Sequence, residues 1–141
     1  IHASIAHIIF NMAALAYIGV YAERSIGTGR YVAIYFLSGI CAALFHGALA
    51  SYVLGSGQTL LIGASGAISG VLGIAAAIGN RRAYYWLIIQ IALAFLGSVT
   101  SIPIAFTAHI GGFLAGVILT KLMVERELFQ RRNVPSRDFS I

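Results

Sequence analysis

Ser65 is the residue in this chain whose surroundings could turn an ordinary hydroxyl into a reactive one. It lies in the stretch Ile62-Gly-Ala-Ser-Gly-Ala-Ile-Ser-Gly70, at the start of an apolar run. At about 100° per residue, the serines and glycines of this run share one helix face and bulkier residues fill the rest. Such a serine can be a packing residue whose hydroxyl binds the preceding turn. It can also be a nucleophile, which requires a base and an oxyanion site at the same depth.

His109 is the candidate for the base. Its helix face also carries Gly112 and Gly116, so another helix backbone can approach it closely. The helix face of serines and glycines that carries Ser65 is the expected partner of the face that carries His109. Contact between the two faces would place an imidazole beside a hydroxyl. The alternative is that His109 is a buried histidine with only structural hydrogen bonds.

His7 and Asn11 are the candidates for oxyanion donors. They are four residues apart in an apolar stretch, so they lie on one face of a helix. The same pair could equally serve as hydrogen-bonding contacts between helices. Whether His7 and Asn11 lie near Ser65 and His109 therefore depends on how the helices that carry these four residues are arranged.

The composition identifies those elements as membrane helices. The 141 residues are 60% hydrophobic and 9% charged, with a mean hydropathy of +0.92, whereas a soluble domain carries about a quarter of charged residues. A helix needs about 20 residues to span a bilayer, so the sequence predicts an all-α, polytopic bundle with five spans. The predicted spans are Ile5–Ala22, Tyr31–Leu54, Leu60–Gly79, Tyr84–Gly97 and Ile104–Val124, of which the fourth is short.

The basic residues orient this bundle. Arg24 and Arg30 follow the first span, Arg81 and Arg82 follow the third, and the other five Lys and Arg residues stand at or after the end of the fifth. By the positive-inside rule, these loops and the basic tail 125–141 are cytoplasmic. Because the charges stand between apolar segments, they indicate membrane topology and not binding to nucleic acid.

In this topology the four candidate residues come to one level, near the extracytoplasmic side. Polar groups at membrane depth are costly and usually face a cavity or each other. The acidic residues, Glu23, Glu125, Glu127 and Asp138, all belong to the cytoplasmic side. A Ser–His dyad without a third carboxylate member is therefore the only serine-protease arrangement available, and an aspartyl protease is excluded.

The remaining polar residues suggest no cofactor or metal. The motif H-E-x-x-H of zinc proteases does not occur. Cys41 is the only cysteine, so it forms no intramolecular disulfide, and we expect it to be buried as a packing residue. We expect His46 to be interfacial or structural and Gln90 to form a hydrogen bond between helices.

Several motifs in this order resemble the rhomboid intramembrane serine proteases. They are His2-Ala-Ser-Ile-Ala-His-Ile-Ile-Phe-Asn11, Glu23-Arg24 before Gly27-Thr28-Gly29, Gly63-Ala-Ser-Gly66 and Ala108-His-Ile-Gly-Gly-Phe-Leu-Ala-Gly116. The resemblance runs from Ile1 to about Val124. It implies a six-helix core of which residues 1–124 hold the second to the sixth helix, with the first helix preceding Ile1.

The resemblance also assigns roles. It implies that Ser65 is the nucleophile and His109 the general base, and that His7 and Asn11 belong to the oxyanion site. Gly63 would allow the close approach of substrate before the serine. Gly66, Gly112 and Gly116 are expected to serve helix packing.

The implied activity is cleavage of single-pass or polytopic membrane proteins, within the bilayer and near the extracytoplasmic face. The expected location is a bacterial inner membrane. Many members of the family carry an aromatic residue four positions after the serine. Here Ser69 stands there, which leaves open whether the histidine is held less rigidly or another aromatic residue substitutes.

Two other functions remain as alternatives. The first is an inactive rhomboid-like protein that binds membrane clients, although such relatives usually lack the serine or the histidine. The second is a small transporter or channel, which would spread ionisable residues across the bilayer. The polar residues of this chain stop in the outer third, which argues against it.

Overall fold

The computed structural model describes residues 5–52, 64–100 and 106–132. These residues form helices α1 (Ile5–Ala14), α2 (Val20–Ile26), α3 (Thr28–Tyr52), α4 (Ser65–Ala77), α5 (Arg82–Thr100) and α6 (Phe106–Arg132). A π-helical segment, Leu15–Gly19, joins α1 to α2 without a break. No strand occurs in the part of the chain that the structure describes, and the prediction of an all-α bundle is confirmed.

The connection between α2 and α3 is shorter than predicted. The sequence predicts a loop over Glu23–Arg30, but only Gly27 lies between the two helices. Gly27 has a φ of 85°, a conformation that glycine adopts without steric cost, and its N–H donates to the carbonyl oxygen of Glu23 at 2.8 Å. The Thr28 hydroxyl donates to Oε1 of Glu23, also at 2.8 Å. The predicted loop is therefore wrong, because one glycine suffices to turn the chain.

Two of the described helices are long and apolar enough to cross a membrane. They are Thr28–Leu49, with a mean hydropathy of 1.9, and Phe106–Val124, with a mean hydropathy of 1.5. Helix α4 is apolar but shorter, and it packs against both α3 and α6. The first four residues of the predicted third span, 60–63, lie outside the described residues.

The interior of the bundle combines many small residues with a few large apolar ones, and large apolar residues cover its outside. In α4 the buried residues are Ala67, Ile68, Ser69, Gly70, Val71, Gly73, Ile74, Ala75 and Ala76. Exposed large side chains include Phe10, Phe36, Leu44, Ile118 and Leu122. Helices in a bilayer pack through small residues and turn their apolar bulk to the lipid, so this distribution suits a membrane bundle.

Cys41 is on this outer surface. It is exposed on α3, so the expectation that it is a buried packing residue is wrong. Its neighbour Ala42 is buried instead, with its Cβ against Gly66 of α4.

Helices α4 and α6 run parallel with their backbones in direct contact. A methyl group on Gly112 would collide with the carbonyl oxygen of Gly66, and one on Gly116 would collide with that of Gly70. Glycine therefore faces glycine along more than one helical turn, as expected for helices whose backbones touch. This contact fixes the relative height of the two helices.

Helix α3 packs antiparallel on α4. A methyl group on Gly66 would lie 2.7 Å from Cβ of Ala42. One turn further along α4, the side chain of Ser38 occupies the space over Gly70. The three helices α3, α4 and α6 thus form the packed centre of the bundle. Their packing fixes the positions of the N-terminal ends of α4 and α6.

Candidate active site

The Ser65 hydroxyl and the His109 imidazole are in contact. Ser65 is the first residue of α4, and His109 lies in the first turn of α6. The distance from Nε2 of His109 to Oγ of Ser65 is 2.8 Å, and both residues are half-buried. An unprotonated Nε2 at this distance accepts the hydroxyl proton, which is how a histidine activates a serine.

The glycine contacts between α4 and α6 position this pair. Gly66 follows Ser65 directly, and its carbonyl oxygen lies against Gly112 on the turn after His109. A larger residue at Gly112 would push the helices apart and separate the hydroxyl from the imidazole. Gly63, the glycine expected before the nucleophile, lies outside the described residues.

Ser69 forms its hydrogen bond within α4. Its hydroxyl donates to the carbonyl oxygen of Ser65 at 2.6 Å, and the residue is fully buried. It has no ring that could stack on the imidazole of His109, so any aromatic contact to that imidazole has to come from elsewhere.

Two aromatic rings flank His109 instead. The ring centroid of Trp86, on α5, lies 5.8 Å from that of His109 with an interplanar angle of 51°. Phe106 lies 6.4 Å away in an edge-on arrangement. Trp86 is itself stacked on Phe113, at 6.2 Å and 18°. The aromatic substitute that the sequence left open is thus present, and no spacing in the sequence links Trp86 to His109.

His7 and Asn11 lie on α1, which contacts α4. Asn11 is 7% exposed, and His7 is half-buried. Both residues thus stand on a helix beside the one that carries Ser65. Their role as oxyanion donors remains a prediction.

A second histidine contact lies close to the pair. Nδ1 of His46, on α3, lies 2.5 Å from Oγ1 of Thr107 on α6, two residues before His109. His46 is 4% exposed, so it is a buried residue that joins two helices. Of the two roles predicted for it, interfacial and structural, this position agrees with the structural one. No spacing in the sequence links His46 to Thr107. The side chain of Gln90 lies outside the described residues.

Among the described residues, no three His, Cys, Asp or Glu side chains come close enough to hold a metal ion. The side-chain contact that the structure describes at Ser65 joins a hydroxyl to an imidazole. Such a pair can exchange a proton.

The chain matches a protein family and several of its members. A family model described as "Rhomboid domain" matches residues 1–126. The chain is 34% identical to Rhomboid protease AarA of Providencia stuartii, over 85% of this chain and 52% of that protein. It is 37% identical to Rhomboid protease GluP of Bacillus subtilis, over 82% of this chain and 23% of that protein.

A relative described as inactive also matches. Inactive RHOMBOID-like protein 8 of Arabidopsis thaliana is 31% identical, over 82% of this chain and 33% of that protein. The chain spans about half or less of the length of these three relatives. No solved structure gives a significant match.

Proposed function

The chain belongs to the rhomboid family, and from this premise we propose that it forms the core of an intramembrane serine protease with Ser65 and His109 as its catalytic pair. The observation that carries the proposal is the distance of 2.8 Å between Nε2 of His109 and Oγ of Ser65. This contact joins two parallel helices whose backbones touch one turn away. A hydroxyl and an imidazole held in this way can perform acyl transfer.

In the proposed reaction, Oγ of Ser65 attacks the carbonyl carbon of the scissile peptide bond while Nε2 of His109 takes the hydroxyl proton. The tetrahedral intermediate collapses as the C–N bond breaks, and His109 gives that proton to the leaving amine. Water then attacks the acyl-serine, with His109 taking a proton from the water and returning it to Oγ. The enzyme ends the cycle unchanged, with one peptide bond hydrolysed.

The negative charge on the carbonyl oxygen needs donors that are already in place. The first N–H groups of a helix have no partner within that helix, so the N–H of Ser65 at the start of α4 is available for this oxygen. We assign the further donors to Asn11 and His7 on α1. Loss of one such donor typically lowers the rate by about 10²–10³-fold.

Membership of the rhomboid family indicates that the substrates are membrane proteins in a bilayer. Within it, we propose that the chain cleaves transmembrane segments near their extracytoplasmic ends, where small or helix-breaking residues let the backbone become extended. The positive-inside rule supports this side, because the basic turn at Arg81 and Arg82 lies at the end of α4 remote from Ser65. A bacterial inner membrane remains the proposed location.

An inactive, client-binding protein is the second candidate, favoured by the match to a relative named as inactive. The two candidates differ in whether the serine reacts. The complete protein is reconstituted in liposomes with a model transmembrane substrate and, separately, treated with a fluorophosphonate that labels activated serines. Wild type is expected to cleave and to be labelled, whereas Ser65→Ala and His109→Ala are expected to do neither.

The matched control is Ser25→Ala. The Ser25 hydroxyl donates to the carbonyl oxygen of Tyr21 within α2, so it tests the loss of a helix serine away from the site. This variant is expected to cleave as wild type does. A folded wild type that binds the substrate but neither cleaves it nor reacts with the fluorophosphonate would replace the protease proposal with the client-binding one.

A further inference from the structure

A cavity of about 640 Å³ opens on the side of the bundle between the π-helical segment and the start of α5. Its apolar and aromatic walls include Tyr17, Ile18, Leu72 and Trp86. Arg81 and Arg82 line its mouth. The mouth therefore stands at the end of α4 remote from Ser65, and the catalytic pair is not among the residues that line the cavity.

A fixed turn supports this mouth. Gly79 has a φ of 103°, and the N–H of Asn80 donates to the carbonyl oxygen of Ala75 at 2.9 Å. The side-chain carbonyl oxygen of Asn80 accepts the N–H of Arg82 at 3.2 Å. Two consecutive arginines are thus held at the rim of an apolar cavity by the backbone of the turn.

The charges at the mouth have no counterpart in the described part of the protein. Arg81 and Arg82 are both exposed, and no described carboxylate forms an ion pair with either of them. Among the residues whose side chains the structure describes, the one acidic residue is Glu23, and its carboxylate binds the Thr28 hydroxyl at the connection between α2 and α3. An occupant with a negative group at this rim would supply the missing charge.

The walls and the rim together specify the occupant. A small soluble anion would use the two arginines and leave the apolar walls uncovered. A neutral lipid would use the walls and leave the arginines without a counter-charge. Basic pockets between membrane helices bind the head groups of acidic lipids, and ligand pockets in proteins usually have volumes of about 300–1,000 Å³.

We propose that this cavity binds one acidic phospholipid, with its phosphate at Arg81 and Arg82 and part of an acyl chain against Tyr17, Ile18 and Leu72. The binding does not depend on the proposed protease activity. Trp86 lines the cavity and also contacts the His109 ring at 5.8 Å. The bound chain would therefore pack against the ring that flanks the imidazole.

The test measures lipid retention by the complete protein with native mass spectrometry from detergent. The probes are phosphatidylglycerol and phosphatidylcholine with identical acyl chains, each titrated separately, with inorganic phosphate as competitor. Wild type is expected to retain one phosphatidylglycerol and to bind phosphatidylcholine at least tenfold more weakly. Arg81→Gln with Arg82→Gln is expected to lower the affinity for phosphatidylglycerol by about tenfold or more.

Two further variants separate the site from general charge and from folding. Arg24→Gln with Lys121→Gln removes the same charge from two exposed positions outside the cavity and is expected to leave retention unchanged. Ala14→Phe, at the cavity wall, keeps both arginines and is expected to lower retention by obstructing the acyl chain.

Three results would overturn the proposal. The first is equal retention of the two lipids by wild type. The second is equal loss of retention in the two charge-removing double variants. The third is full displacement of the lipid by inorganic phosphate together with normal retention by Ala14→Phe, which would reduce the site to an anion contact at the rim.

Discussion

Gly112 lies against the carbonyl oxygen of Gly66 so closely that a methyl group at Gly112 would collide with it. The contact lies one helical turn from the hydrogen bond between His109 and Ser65. The two backbones in contact therefore hold the helices at the height and spacing at which the imidazole reaches the hydroxyl. The packing of α4 on α6 and the chemistry of the candidate pair therefore depend on the same glycines.

Replacing Gly112 with alanine is expected to destabilise the protein and to abolish most cleavage. The added methyl group meets backbone, which cannot move aside as a side chain can, and overpacking of this kind costs about 1–3 kcal/mol. Unfolding of the purified protein in detergent, followed with denaturant and circular dichroism, measures the change. Gly47→Ala is the control, because Gly47 lies in α3 with no atom near its added methyl group. Equal stability of the two variants would contradict the backbone contact.

Replacing Asn11 with alanine is expected to lower kcat by about 10²–10³-fold with a much smaller change in KM. The reason is that an oxyanion donor binds the transition state more strongly than the bound substrate. Steady-state cleavage of a transmembrane substrate in liposomes gives both constants. Met12→Ala, an exposed neighbour on the same helix, should keep both. An increase in KM alone would assign Asn11 to substrate binding instead.

Replacing Trp86 with leucine is expected to lower kcat by about 2–10-fold, since a favourable ring pair contributes about 0.5–1.5 kcal/mol. Trp86→Phe retains a ring beside His109 and should recover part of the rate. The exposed neighbour Tyr85 provides the control variant Tyr85→Leu. If Trp86→Phe and Trp86→Leu lose the same rate, the ring contact does not position the imidazole.

Replacing Thr107 with valine is expected to destabilise the protein by about 1–3 kcal/mol, because it removes the partner of a buried histidine nitrogen. The double variant His46→Leu with Thr107→Val removes both polar groups and should regain part of that loss. Unfolding in detergent compares wild type, the single variants His46→Leu and Thr107→Val, and the double variant. A double variant that is as unstable as the sum of its single variants would indicate that the two side chains do not interact.

The sequence predicts the class of protein and the family correctly because both rest on local properties. High hydropathy and few charges indicate a membrane helix bundle, and the motifs around Ser65 and His109 are contiguous in the chain. The helix faces of small residues around Ser65 and His109 also predict that these two residues approach each other. The prediction of the loop at Glu23–Arg30 fails because polar residues there continue the helices, and a single positive φ at Gly27 turns the chain.

What the sequence by itself determined is therefore the bundle, the family and the residues that could react. Only the tertiary structure decided which residues meet across helices: the ring of Trp86 beside His109, the Thr107 hydroxyl at His46, and the outward position of Cys41. Helical periodicity places residues on one face of one helix. The pairing between faces depends on the height and rotation at which two helices dock, and here the backbone contacts of Gly66 and Gly112 set them.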